Sequence, residues 1–169
     1  MPTDAQIQVL LDKQEIRDVL MTYCRAIDRV DRELLASVYH PDADDDHGPL
    51  KGKMVDLIEG IFEGLERLST TSFHSLSNIL VDVDGDVAHS ESYVTAWHTA
   101  TSEEKGKYVW IFAGRYIDRF ERRGGVWKIA NRRTVMDWEY ITPPVEESLF
   151  EDGPFLRGLR SQKDLAYER

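Results

Sequence analysis

Four long segments in the second half of the chain constrain its fold more than any other feature. In each of them β-branched and aromatic residues are interspersed with polar ones, and short runs that contain glycine separate them. This pattern predicts β-strands joined by tight turns. The predicted strands are Thr71 to Val83, Val87 to Thr101, Lys107 to Arg122 and Val126 to Tyr140. We therefore expect an antiparallel meander.

The first half of the chain is predicted to be helical. Apolar residues recur at helical spacing in three segments, which are Asp4 to Ile27, Leu34 to Tyr39 and Leu57 to Leu65. Helices followed by strands favour an α+β class, with the three N-terminal helices packed in a strongly curved antiparallel sheet that forms a cone-shaped α+β barrel. The predicted domain covers residues 1–142. The tail that follows is predicted to be loop-like, and its apolar residues, among them Leu149, Phe150 and Phe155, need an apolar surface to rest against.

Between the second and third predicted helices lies an acidic run from Asp42 to His47, followed by Gly48 and Pro49. A calcium loop needs ligands at alternating positions and a closing glutamate, and this run lacks that frame. We interpret it as a solvated turn and predict no metal and no other cofactor.

Composition excludes several kinds of partner. The formal net charge is −10 and the basic residues are scattered, which argues against nucleic acid and anionic membrane surfaces. A single cysteine excludes an internal disulfide. The N-terminal residues lack the regions of a signal peptide, and no apolar run has the roughly 20 residues that span a bilayer. We expect a cytoplasmic protein that acts on a small molecule.

Asp28 and His74 are the candidates for acid–base chemistry. Asp28 follows a helical segment that ends in apolar residues, where it is either an exposed helix terminus or a buried carboxylate that needs a partner. Strand alternation places His74 on one face with Leu76, Asn78 and Leu80. His74 is either a core histidine or, if Asp28 orients it, a general base.

Other side chains are candidates for the same pocket. Tyr23 is a core aromatic or a donor to a leaving group, although five residues of ideal helix separate it from Asp28 by roughly 140°. Alternation allows only one of Arg132 and Arg133 to point inward, and we favour Arg132 as a cation in the cavity. Further strand residues are either plain core residues or the lining of an aromatic pocket. Those predicted to bind substrate are Trp97, His98, Trp110, Phe112 and Trp138.

The order of these features resembles a known family. The resemblance rests on the residues Tyr23-x4-Asp28, His40-Pro41-Asp42-Ala43, His74 and Gly125-Val126-Trp127-Lys128-Ile129. Over roughly residues 5–142 the chain resembles the SnoaL-like branch of the nuclear transport factor 2-like superfamily. Its site layout is similar to cofactor-independent lyases of that branch, namely hexachlorocyclohexane dehydrochlorinase, bile-acid 7α-dehydratase and scytalone dehydratase.

The resemblance implies a mechanism and an assembly. It implies an Asp28–His74 dyad in which His74 removes a proton, while Tyr23 or Arg132 stabilises a leaving group that is water, halide or formaldehyde. It also implies a homo-oligomer, with a trimer favoured over a dimer, and a role in the breakdown of aromatic compounds. In such an assembly we expect the tail, residues 143–169, to close the pocket or to contact a neighbouring subunit. Two alternatives stay open, an isomerase or cyclase acting on a steroid-like or polyketide-like substrate, and a non-catalytic ligand-binding module.

Overall fold

The protein was analysed as a computed structural model that describes residues 1–68, 71–104, 106–143 and 156–168. The helices are α1 (Asp4–Arg29), α2 (Arg32–Ser37) and α3 (Met54–Leu68). The strands are β1 (Tyr39–Asp46), β2 (Lys51–Lys53), β3 (Thr71–Asp84), β4 (Val87–Ser102), β5 (Gly106–Arg123) and β6 (Val126–Ile141). A 3₁₀ turn, Leu165–Tyr167, follows in the tail.

The six strands form one curled sheet in the order β2-β1-β6-β5-β4-β3. The four long strands form the predicted meander, and the three helices pack against the sheet, so the α+β prediction is confirmed. Two details of the prediction are wrong. The sheet is mixed, because β1 runs parallel to β6, and it does not close into a barrel.

The prediction of a solvated turn at the acidic run is also wrong. Residues 39–46 form β1, in which Ala43 is 1 % and Asp45 is 2 % exposed. The buried positions alternate as in any strand that faces a core. One of these buried positions is occupied by Asp45, so the segment lacks the alternating apolar residues from which a strand is predicted.

Capping fixes both ends of α1. The Thr3 hydroxyl accepts from the backbone N–H of Gln6 at 3.2 Å, and the Gln6 side chain accepts from the Thr3 N–H at 2.9 Å. At the other end Val30 adopts the left-handed conformation, with φ of 54°. Because α1 continues to Arg29, Asp28 lies in its last turn rather than after it.

A buried carboxylate joins α1 to the far end of the sheet. Oδ1 of Asp12 accepts from Nη1 of Arg122 at 2.8 Å and from Nε1 of Trp127 at 3.0 Å. Between this contact and Asp28 the apolar face of α1 packs into the core. Core residues from the helices and the sheet include Ile16, Leu20, Ile27, Phe62, Val94, Phe120 and Ile129.

A β-bulge changes the alternation of β3. The pairing with β4 shifts between Ser77 and Leu80, and Asn78 has φ of 47°. The prediction that Leu80 shares a face with His74 is therefore wrong, since Leu80 is 69 % exposed while Val81 is buried. The part of β3 before the bulge, which carries His74, faces α1.

Candidate active site

Asp28 holds His74 by two hydrogen bonds. One carboxylate oxygen lies 2.7 Å from Nδ1 of the His74 ring, and the other accepts from the His74 backbone N–H at 2.9 Å. The side chains of His74 and Asp28 are 8 % and 11 % exposed. An ionised carboxylate can only accept, so Nδ1 of His74 carries its hydrogen. The carboxylate thus fixes both the ring and the strand that carries it.

This arrangement determines what the other ring nitrogen can do. With hydrogen on Nδ1, Nε2 of a neutral His74 carries the lone pair. The two described hydrogen bonds of His74 use Nδ1 and the backbone N–H, and neither of them engages Nε2. An oriented imidazole with an unoccupied acceptor nitrogen is the geometry of a general base.

Three of the predicted pocket residues continue from His74 as a row of rings. The His98 ring meets the His74 ring edge to face at 5.6 Å, and Trp110 stacks on His98 at 5.0 Å. Phe112 follows, 6.5 Å from Trp110. Burial, with a smaller effect of His74, lowers the pKa of His98 to about 4. His98 is therefore neutral at neutral pH, and the row offers a mostly uncharged aromatic surface.

The structure does not bring the two other predicted substrate-binding residues to this row. Trp97 is next to His98 in β4, so its side chain lies on the opposite face of the sheet, where its ring packs 5.6 Å from that of Phe73. Trp138 lies near the end of β6 and is 55 % exposed.

Tyr23 and Arg132 lie together in a second polar cluster. Arg132 is fully buried and donates two hydrogen bonds of 2.7 Å to Asp118. Its guanidinium carbon lies 4.0 Å from the ring centres of both Tyr23 and Tyr116. Burial raises the pKa of Asp118, and the neighbouring guanidinium opposes this effect. The charge of Arg132 is therefore largely balanced within the protein.

The Tyr23 hydroxyl belongs to the same cluster. It lies 3.1 Å from Nε2 of His47, and no described hydrogen bond or ring contact joins it to Asp28 or His74. The unbroken helix explains this separation, because the two positions on α1 point in different directions. Cys24 follows Tyr23 on the same helix and is also buried. Burial raises the pKa of its thiol to about 12, and both Asp28 and Arg132 act on it electrostatically.

The sequence interpretation missed three residues of this region. Asp45 and His47 lie on the second cluster, and crowding of acids around a histidine was the one signal that pointed to them. Arg160 is in the tail, where burial lowers its pKa against the opposing effects of Glu66 and Asp28. Its position near Asp28 could not be found from spacing.

Contacts with the end of α1 hold this part of the tail. Arg25 donates to the backbone oxygen of Ala166 at 2.6 Å, and Arg29 lies 3.2 Å from Asp164. The Tyr167 hydroxyl donates to Asp31 at 2.8 Å. Residues 156–168 thus lie beside the α1 turn that carries Asp28. The apolar tail residues Leu149, Phe150 and Phe155 lie outside the described residues.

A family model described as the SnoaL-like domain matches residues 8–133, which is most of the chain. The chain belongs to the SnoaL-like family. The resemblance predicted from the sequence is therefore confirmed. No curated protein sequence matches the chain significantly.

Solved structures with similar folds include several enzymes. A hexachlorocyclohexane dehydrochlorinase of type 3 from Novosphingobium barchaimii LL02 is 20 % identical, with a TM-score of 0.72 over 84 % of this chain and 97 % of that one. A scytalone dehydratase-like protein from Novosphingobium aromaticivorans is 23 % identical, with a TM-score of 0.68 over 82 % and 96 %. At this identity the similarity shows the fold of the SnoaL-like chain, and its chemistry has to be argued from its own residues.

A protein of unknown function from Mycobacterium tuberculosis, solved as a variant with one substitution, is 25 % identical, with a TM-score of 0.63 over 76 % of this chain and 77 % of that one. The fold therefore occurs in enzymes such as a dehydrochlorinase and in proteins of unknown function. Among the helices that the structure describes, none is both long and apolar enough to cross a bilayer.

Proposed function

We propose that the protein is a cofactor-independent lyase that removes a proton from a small apolar cyclic or aromatic substrate and expels a leaving group. The observation that carries this proposal is the pair of hydrogen bonds between Asp28 and His74. They leave Nε2 of His74 as an oriented acceptor beside a row of aromatic rings. Asp28 keeps the ring in one tautomer and stabilises the imidazolium that forms, as the aspartate of a serine-protease triad does.

The elimination needs no second base. His74 takes the proton from carbon, the C–H electron pair forms the new double bond, and the leaving group departs as water or halide. For a formaldehyde-releasing substrate, His74 instead takes a hydroxyl proton and the O–H electron pair forms the C=O bond of formaldehyde. The C–C bond breaks with its electrons on the remaining carbon, which takes the proton back from the His74 imidazolium. Tyr23 and Arg132 are proposed to stabilise the charge that develops on the leaving group.

The same pair of hydrogen bonds favours an enzyme over a ligand-binding module. A core histidine in apolar surroundings would serve a module equally well, whereas a paired carboxylate and imidazole are costly to bury without a use. An isomerase remains the second candidate, because Nε2 of His74 could also return its proton to the same substrate. Loss of halide or water, measured together with the product, distinguishes the two reactions.

The sharpest test is a screen with matched variants. Hydroxylated and halogenated ring compounds are incubated with the wild type, His74→Gln and Asp28→Asn, and ultraviolet absorbance reports the new double bond. His89→Gln is the control, because His89 is exposed on β4 and lies outside both clusters. We expect turnover in the wild type and control and roughly a 10³-fold loss in the two variants. Full activity of either variant would overturn the dyad.

We further propose that residues 143–169 help to close the pocket. Contacts of Ala166, Asp164 and Tyr167 with the end of α1, and the position of Arg160 near Asp28, support this role. Truncation after Ile141 is expected to raise KM for the substrate found in the screen while circular dichroism stays unchanged.

A homotrimer in the cytoplasm is the assembly and location that we propose. Large apolar side chains near the end of β6 are exposed in one subunit, and exposed apolar patches of this kind mark contact surfaces. They are Met136 at 56 %, Trp138 at 55 %, Tyr140 at 53 % and Ile141 at 42 %. Light scattering after size exclusion is expected to give three times the chain mass, and Trp138→Glu is expected to lower it.

A further inference from the structure

A second carboxylate–imidazole pair lies on β1. The Asp45 side chain is fully buried and accepts from the Tyr39 hydroxyl at 2.7 Å, while its other oxygen is hydrogen-bonded to Nδ1 of His47. Burial raises the pKa of Asp45, but the hydrogen bonds from His47 and Tyr39 and the charges of His47 and Arg132 more than offset it, so the pKa is lowered overall. The ionised carboxylate places a hydrogen on Nδ1 of His47. The pair thus repeats the arrangement of Asp28 and His74.

The opposite ring nitrogen of His47 faces Tyr23. Nε2 lies 3.1 Å from the Tyr23 hydroxyl, and the two rings stack with their centres 6.4 Å apart. Tyr23 is 2 % exposed, whereas the His47 side chain is 22 % exposed. A continuous hydrogen-bonded path therefore leads from a buried phenol to an imidazole that reaches solvent.

We propose that Asp45, His47 and Tyr23 form a proton relay that protonates the leaving oxygen of a hydroxylated substrate. This inference rests on the proposed function and makes it more specific, since it names water as the leaving group. His74 then acts as the base, Tyr23 as the acid, and His47 as the residue that restores the proton of Tyr23.

Protons and electrons balance without a further reactant. Nε2 of His74 takes the proton from carbon, the C–H pair becomes the second bond of the alkene, and the C–O bond breaks with its electrons on oxygen. The Tyr23 hydroxyl gives its proton to that oxygen, and water leaves. The phenolate takes a proton from Nε2 of an imidazolium His47 that solvent has protonated, and His74 returns its proton to solvent.

The surroundings of Tyr23 suit a proton donor. Burial raises the pKa of Tyr23, so the phenol keeps its proton until negative charge develops on a nearby oxygen. The guanidinium of Arg132, 4.0 Å from the ring centre, stabilises the phenolate that forms. Asp45 stabilises the imidazolium of His47. The titratable and charged groups around His47 are Tyr23 on α1, Tyr39 and Asp45 on β1, Tyr116 and Asp118 on β5 and Arg132 on β6.

Substrates with different leaving groups distinguish a proton relay from a cluster that has only a structural role. Hydroxide is a poor leaving group and needs a proton, whereas chloride leaves as a stable anion. A relay residue is therefore required for loss of water and dispensable for loss of chloride. A residue that only maintains the shape of the pocket would affect both reactions alike.

The test compares two substrates that differ only in hydroxyl or chloride at the leaving position, with His47→Gln, His47→Ala and the control His89→Gln. We expect both His47 variants to lose roughly 10²-fold in kcat for loss of water while loss of chloride is unchanged. Added imidazole is expected to restore loss of water in His47→Ala. Equal losses on the two substrates, or a wild type that releases only chloride, would overturn the relay and leave the lyase proposal standing.

A spectroscopic measurement tests the hydrogen-bonded path that the relay requires, independently of turnover. In ¹⁵N-labelled wild type, neutral His47 is expected to carry hydrogen on Nδ1, and Tyr23→Phe is expected to shift the Nε2 resonance while Nδ1 stays in place. Hydrogen on Nε2, or an unchanged Nε2 resonance in Tyr23→Phe, would overturn the relay. If the wild type releases neither water nor chloride from any compound of the screen, elimination of these two groups fails as the proposed reaction. This measurement still decides whether the hydrogen-bonded path exists.

Discussion

The two oxygens of Asp28 contact different parts of one residue, the ring and the backbone N–H of His74. An asparagine at position 28 can accept from only one of these donors, and its NH₂ group then faces the other. For Asp28→Asn we expect roughly 1–3 kcal/mol lower stability in urea unfolding, in addition to the loss of turnover. Asp18→Asn, exposed on the same helix, is the control and is expected to unfold like the wild type. Equal stability of both variants would contradict the role of the second hydrogen bond.

The buried ion pair of Arg132 and Asp118 predicts an asymmetry between single and double substitutions. Asp118→Ala leaves a buried guanidinium without its carboxylate and is expected to cost about 3–5 kcal/mol in urea unfolding. The double variant Asp118→Leu, Arg132→Met removes both charges, and we expect it to be more stable than Asp118→Ala. The half-exposed pair of Arg115 and Asp137 on the same two strands is the control, where Asp137→Ala is expected to cost less than about 1 kcal/mol.

His98 predicts a dependence of stability on pH. Burial lowers its pKa from the ordinary 6.5 to about 4, so between these values the unfolded chain binds a proton that the folded chain does not. Above pH 6.5 His98 is neutral in both states and its full contribution to the free energy of unfolding is present. As the pH falls towards 4, protonation of the unfolded chain lowers the free energy of unfolding by at most about 3 kcal/mol. Urea unfolding of His98→Phe across this range is expected to show a shallower decline than the wild type. His89→Phe, at an exposed site, is expected to decline as the wild type does.

Gly114 marks a position where the sheet tolerates no side chain. A Cβ atom there would clash with the backbone oxygen of Val135, at a bulge between β5 and β6. Because backbone has to move, Gly114→Ala is expected to lower the thermal midpoint by more than about 5 °C. Gly64→Ala, in α3 with nothing within 4 Å of the added atom, is the control and is expected to raise stability by about 0.5–1 kcal/mol.

Most of the fold follows from local patterns, and its exceptions have physical causes. The long strands carry alternation and turn residues, so their limits lie within a residue of the predictions. β1 shows no apolar pattern, because one of its inward positions is Asp45. The strand can bury this carboxylate because Tyr39 and His47 form hydrogen bonds with it. Its parallel pairing with β6 depends on tertiary packing that no local pattern encodes.

The candidate site was predictable in part. Spacing left Asp28 and His74 open between structural and functional roles, and the family resemblance paired them. Their contact itself depends on how α1 packs against β3. Alternation already separates Trp97 from His98, so the sequence alone should have excluded one of them. Arg160 is brought near Asp28 by a tail that carries neither helical nor strand periodicity.

The parallel pairing of β1 with β6 also sets an order of assembly. Tyr39 pairs opposite Ile129, so the strand that follows the helical hairpin has to wait for the last strand of the meander. On the ribosome, the N-terminal third of the chain emerges well before that partner and cannot complete its core. Contacts so distant along the chain slow folding and leave apolar surface open to chaperones and to aggregation. We therefore expect β1 to reach its native place in the sheet only after β6 has formed.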